Sequence, residues 1–208
     1  MFYIWEHEEW PNFEWDIAAL SGLFERAAFA QGRLLGAMSR IGFSERKEAA
    51  ALALIRETSK SSEIEGVSLS LAQIRSSVGK RLALRVPAPK TEDRRAAGAA
   101  ETLLDATQNF ALPMTKKRLC AWHAALFPDG FSGVEKIRTG AYRDDRFGGM
   151  RVVSIRGNRE TVHFEAPPAA RVPAEMRAFF ESLRKPRGNA LAEAAIAHLR
   201  FLSIHPFE

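Results

Sequence analysis

The sequence predicts an all-α fold carrying one short β-hairpin, and three observations lead there. Apolar residues recur at threes and fours through most of the 208 residues, the period of a helical face. Only between Tyr142 and Pro167 does the pattern change, to short runs rich in β-branched and aromatic side chains. No internal repeat interrupts this order, so a solenoid is not expected.

The chain opens with Trp5, Trp10 and Phe13 around Pro11, which forbids a continuous helix, so Tyr3 to Phe13 reads as an extended anchor. From Asp16, an N-cap residue type, Ile17, Leu20, Leu23, Phe24, Ala27, Leu34, Leu35, Met38 and Ile41 trace one long amphipathic helix ending near Gly42. A second helix starts at Ser44 and reaches Ser61 or beyond, and Ser70 caps a third through Leu82. Pro87 and Pro89, among mixed charges from Arg85 to Glu92, read as a linker. The expected division is therefore a helical region over 1–84 and a core over 91–208. Helices are expected over Thr91–Asn109 and Thr115–Phe127, the second stopped by Pro128 and Gly130. Arg151–Ile155 and Thr161–Phe164 form a hairpin about the turn set Arg156, Gly157 and Asn158. Val172–Lys185 and Leu191–Ile204 return to helical spacing, giving at least seven helices around one hairpin.

At 46% hydrophobic and 26% charged residues the chain is too apolar for a disordered protein, and it is long enough for one sizeable core or two small ones. The first sixteen residues hold five acids and no Lys or Arg, so against a net charge of +5 the rest carries about +10. That body permits phosphate-bearing ligands without demanding them, and no basic run is long enough for a nucleic-acid arm. With no apolar run of spanning length and no signal-like start, the expectation is a cytoplasmic protein without a membrane partner. The one cysteine, Cys120, beside Leu119 and Trp122, reads as a buried, inert thiol. His7, His123, His163 and His198 are too scattered for zinc, so no metal ligand is assigned.

Taken alone, each remaining motif has a structural reading. His205 before Pro206 can cap a helix C-terminus, a short hairpin can be plain structure, and Ser62, Glu63 and Glu65 before Gly66 can be a solvent-facing helix end. Together they resemble the Fic family. His205, Pro206, Phe207 and Glu208 look like the start of its signature, His-Pro-Phe, one residue, an acidic residue, Gly-Asn-Gly-Arg and a second Arg three residues on. Ser61 to Gly66 resembles the family's inhibitory motif, a Ser or Thr, three residues, Glu, then Gly or Asn. Gly140, Tyr142 and Arg143, followed by the hairpin and by His163 to Pro168, look like the flap and its exit. Ile4-Trp5 and Trp10-Pro11-Asn12-Phe13 resemble a region found ahead of Fic cores in one bacterial branch. The four segments stand in the family's order and cover nearly the whole chain.

The resemblance implies a Fic-like helical bundle and a protein adenylyltransferase moving AMP from ATP, with magnesium, to a Ser, Thr or Tyr hydroxyl of a target protein. His205 would be the base, supported by Gly140, Tyr142, Arg143, Pro206 and Phe207. Val152, Val153, Ser154 and Ile155, with Thr161, Val162, His163 and Phe164, would be the flap that docks the target as an added strand. Ser61, Glu65 and Gly66 would form the inhibitory element, Glu65 reaching the second signature arginine. The signature breaks off after Glu208, which is the intervening residue and not the magnesium ligand. The 208 residues are accordingly expected to be a truncated, nearly inert form. Two other readings stand beside this one: a non-catalytic helical regulatory module, linked to DNA only through a further C-terminal domain, and a self-association surface on the helical front.

Overall fold

A computed structural model of the chain describes residues 2–64, 67–87, 91–146, 148–157, 159–185 and 188–208. Seven helices run in chain order among them: α1 Ile17–Met38, α2 Phe43–Ile64, α3 Leu71–Arg81, α4 Arg94–Gln108, α5 Lys116–Leu126, α6 Val172–Leu183 and α7 Ala190–Ile204. Two antiparallel ladders accompany them, a minimal one between β1 Phe131–Ser132 and β2 Glu135–Lys136, and the hairpin of β3 Arg151–Arg156 with β4 Arg159–Glu165. The first ladder is an addition to the single hairpin read from the sequence. It turns through Gly133, whose positive φ of 60° suits glycine.

The chain resolves into two compact units that interleave along the sequence. One contains Ala18–Pro113 and Ala121–Glu135. Its core is the packing of α2, α3 and α4 through Ala51, Ile55, Ile74, Val78, Ala96 and Ala100, flanked by Leu54, Leu69, Leu82 and Leu84. Ile74 and Val78 are fully buried, each contributing about 1.5–3 kcal/mol. α4 belongs with α2 and α3 in space, although the proline-rich stretch before it suggested a boundary. Ala96 and Ala100 face α2 and α3, while Gly98, about 200° away around the helix, faces α5, where an added Cβ would fall 1.8 Å from the Ala125 carbonyl oxygen. The Asp93 side chain caps it, accepting from the N–H groups of Arg95 and Ala96 at 2.9 and 3.2 Å.

The other unit contains Met1–Ile17, Met114–Cys120 and Lys136–Glu208. α6 and α7 pack here through Val172, Met176, Phe179, Phe180 and Ile204. Pro173 near the start of α6 removes a donor that would have no partner in the first turn, and the Asn189 side chain caps α7 through the Leu191 N–H at 2.9 Å. The opening segment is not extended throughout: Ile4–Glu6 is a 3-10 turn. It is nevertheless anchored by its tryptophans. Trp5 Nε1 donates to the Glu165 carbonyl at 2.6 Å and Trp10 Nε1 to the Glu175 carboxylate at 2.9 Å.

Candidate active site at the end of α7

α7 stops at Ile204 because Pro206 cannot extend it, and the chain turns through His205 in the left-handed region, φ 46° and ψ 67°. That conformation is rare for a residue bearing a Cβ and marks a held position. The His205 N–H still donates to the Phe201 carbonyl at 3.0 Å, closing the helix. The side chain is half-buried, while Ile204 and Pro206 on either side are buried. Withdrawal from water, and then the nearby Arg143 guanidinium, depress the imidazole below its ordinary value of 6.5; a backbone hydrogen bond with Leu202 opposes them.

Arg143 is the hub around which this turn is built. Its side chain is almost wholly inaccessible, and its Nε donates to the His205 carbonyl at 2.7 Å. Nη2 reaches the carbonyl of Ile204 at 3.4 Å and makes a short contact to that of Pro167. Nη1 pairs with Asp145, and the Arg143 main-chain N–H donates to the Pro206 carbonyl at 3.0 Å. One guanidinium thus ties the end of α7 to the exit of the hairpin, its charge matched by Asp145. Asp145 itself adopts a positive φ of 53° and accepts from the Ala169 N–H at 2.5 Å. The sequence reading missed it, since no motif marks it beyond its place two residues after Arg143.

The other support positions surround this hub. Tyr142 is buried against Phe207 at 5.9 Å between ring centroids, and Phe207 meets Phe201 at 6.4 Å. Burial, with a smaller effect from Cys120, pushes the Tyr142 phenol up to about 12, so it stays neutral under ordinary conditions. Lys116 Nζ lies 4.6 Å from the centre of its ring. Cys120 is only half-buried, and burial raises its thiol against an opposing pull from Lys116, which keeps it unreactive. Gly140 turns the chain at φ 69°. Beside the site, Glu208 accepts from the Arg138 N–H at 2.7 Å.

The β3–β4 hairpin pairs Val152 with Phe164, Val153 with Val162, Ser154 with Thr161 and Ile155 with Glu160. The register shifts between Val152 and Val153, leaving His163 as the extra residue of a bulge. His163 Nε2 and Ser154 Oγ are 2.7 Å apart. β3 is exposed along its length, with no third strand on the ladder among the described residues. At its base the hairpin is held by the Trp5 bond to Glu165 and by Tyr3 edge-on to Phe164 at 5.4 Å. From the sequence these aromatics read as an anchor, with nothing to show the hairpin they hold.

Ser61 lies in the last turn of α2, its hydroxyl donating to Glu57 Oε1 at 3.0 Å, and Ser62 Oγ donates to the Thr58 carbonyl at 2.8 Å. Glu65 and Gly66 lie outside the described residues. A cavity of about 340 Å³ opens beside this helix end, lined by Ser61, Ser62, Leu69, Ala99, Leu103 and Phe127 among others.

Two family models match. Residues 113–208 match the model described as Fic/DOC family, and residues 3–84 the one described as a domain of unknown function (DUF4172). Among solved structures the chain is similar to the crystal structure of a Fic family protein from Desulfovibrio desulfuricans G20, with 23% identity and a TM-score of 0.58. The alignment covers 95% of this chain and 54% of that one, so the chain spans about half the length of the protein it matches. None of the curated proteins matches.

Proposed function

We propose that the chain, whose residues 113–208 match the Fic/DOC family model, carries the base and target-docking parts of a protein adenylyltransferase. The observation that carries this reading is the His205 turn: an imidazole kept neutral by burial, on a backbone fixed by Arg143. A base must be unprotonated near neutral pH and held in one place, and the lowered imidazole pKa and the backbone tie to Arg143 support that role. In the reaction the acceptor hydroxyl passes its proton to His205 as its oxygen attacks the α-phosphorus of ATP. The bond to the β-phosphate oxygen breaks and pyrophosphate leaves. An extended segment of the target, laid along the exposed edge of β3 or β4, would present that hydroxyl through main-chain pairing that tolerates varied sequence.

In this reading magnesium would neutralise the phosphates, but the residues present do not form its site. Glu208, the last carboxylate of the motif, already accepts the Arg138 N–H and stands at the intervening position. Glu65, the residue that follows Ile64 in the sequence, is proposed to restrain the enzyme. The test uses a form of the protein that carries the rest of the signature, incubated with α-labelled ATP. His205→Ala should abolish labelling of protein, and Glu65→Gly should raise it. Labelling unchanged in His205→Ala would remove the base from the mechanism, and labelling that did not rise in Glu65→Gly would remove the restraint.

A further inference from the structure

α1 is a 22-residue helix without one buried residue, and its apolar side chains are unusually open: Leu34 and Leu35 are each 62% exposed and Leu23 50%. Their order along the helix is not random. Ile17, Leu20, Phe24, Ala27, Gln31, Leu34 and Met38 follow alternating steps of three and four, the a and d positions of a heptad. The positions flanking that seam are Ser21, Leu23, Ala28, Ala30, Leu35 and Ala37, none of them charged. Glu25, Arg26 and Arg33, the charged residues of the helix, all fall on the outer face. Leu20, Phe24, Ala27 and Met38 are half-shielded along the seam, while Ile17, Leu34 and the flanking leucines remain open.

We propose that α1 pairs with α1 of a second copy of this chain, antiparallel, about a twofold axis level with Phe29. In that register six layers are filled, and only Ile17 falls beyond the end of the partner helix. Leu20 meets Met38 of the other copy, Phe24 meets Leu34, and Ala27, the smallest seam residue, meets Gln31, the only polar one. The flanks match in size as well, with Leu23 against Ala37, Leu35 against Ser21, and Ala28 and Ala30 each near its own counterpart. A parallel pair would instead set Ala27 against Ala27, leaving a void, and Phe24 against Phe24. With no charge along the contact, two copies of a basic protein meet there without like charges opposed.

Area sets the strength. The thirteen seam and flank residues are about half of the roughly 20–30 per side that a standard interface of ~800 Å² per partner buries. The pair is therefore a weak, reversible dimer.

Sedimentation velocity over a concentration series should show the 208-residue chain passing from monomer to dimer. Leu34→Lys, at an exposed position where folding is not at stake, should weaken the dimer by roughly tenfold or more with an unchanged helical circular dichroism spectrum. Orientation is read separately, from a nitroxide at Ser21→Cys in a Cys120→Ala background. Antiparallel pairing separates the two labels along the axis by about 24 Å, whereas parallel pairing leaves them about 10 Å apart. A chain that stays monomeric into the millimolar range, a dimer indifferent to Leu34→Lys, or the shorter label distance would each overturn the proposal.

Discussion

The Arg143 side chain donates to the His205 carbonyl at 2.7 Å, across 62 positions of sequence, and the Arg143 main chain donates to the Pro206 carbonyl just beyond it. The residue that holds the candidate base thus acts on its backbone rather than its ring. A guanidinium suits the task because its planar fork serves several carbonyls at once and cannot lose its charge.

Arg143→Gln should accordingly damage both fold and activity. It removes a nearly inaccessible cation from Asp145 and leaves the Pro167, Ile204 and His205 carbonyls short of donors. Breaking a buried pair of this kind costs about 3 kcal/mol or more. Arg143→Lys restores the charge but not the fork and should recover only part of the loss. Chemical denaturation of the three proteins measures the order, and a Lys variant equal to the parent would show that charge alone matters.

The depressed imidazole of His205 makes a prediction about pH. Its neutral form persists to lower pH than that of free histidine, so AMP transfer by the signature-complete protein should hold down to and below pH 6.5 before its acid limb appears. Stability follows the same sign. Between the unfolded value near 6.5 and the lower folded value, the unfolded chain binds more protons at this residue. Its contribution to stability is therefore fully present above pH 6.5 and is lost as pH falls through that window. Proton NMR titration of the His205 ring gives the value directly, and a midpoint at or above 6.5 would contradict the burial argument.

Periodic features were legible in the sequence and convergent ones were not. α7 was read as Leu191–Ile204 and runs Ala190–Ile204, because three-and-four spacing is a local signal. The hairpin was read two residues short at the start of β4, since Arg159 and Glu160 have no β-propensity of their own and are drawn in by pairing with Arg156 and Ile155. Arg143 reads as a support residue, but the carbonyls its side chain meets are 24 to 62 positions away, and nothing near it in sequence says which they will be. Asp145 stands two positions from Arg143, yet no motif marks it, and its other partner, the Ala169 N–H, is 24 positions away. The ladder at Phe131–Lys136 is two residues deep on each side, too short for alternation to show. α1 has the amphipathic pattern that was read, yet none of its residues is buried, because periodicity reports a face and not what covers it.

Trp5 offers a test of how the hairpin is held. Trp5→Phe keeps an aromatic ring beside Tyr3 and Arg171 but removes the donor to the Glu165 carbonyl. One such hydrogen bond contributes about 1 kcal/mol, so backbone amides of β4 should exchange with solvent roughly fivefold faster. Exchange in α7, which Trp5 does not hydrogen-bond, serves as the internal reference. Equal acceleration in both elements would mean that Trp5 supports the whole unit rather than the hairpin.

Two glycine substitutions should move stability in opposite directions. A Cβ built on Gly98 in α4 falls 1.8 Å from the carbonyl oxygen of Ala125 in α5, a clash with backbone that no side-chain rotation relieves. Gly98→Ala should therefore cost about 3 kcal/mol despite alanine's higher helix propensity, lowering the melting temperature by roughly 6–12 °C for a chain of this size. A Cβ on Gly22 in α1 meets nothing within 4 Å. There propensity acts alone, and Gly22→Ala should stabilise α1 by about 0.5–1 kcal/mol. Because Gly22 lies on the outer face, its replacement leaves the seam untouched. Thermal melts of the two variants beside the parent decide the matter: a tolerated Gly98→Ala would mean that α4 and α5 do not approach as closely as Gly98 allows.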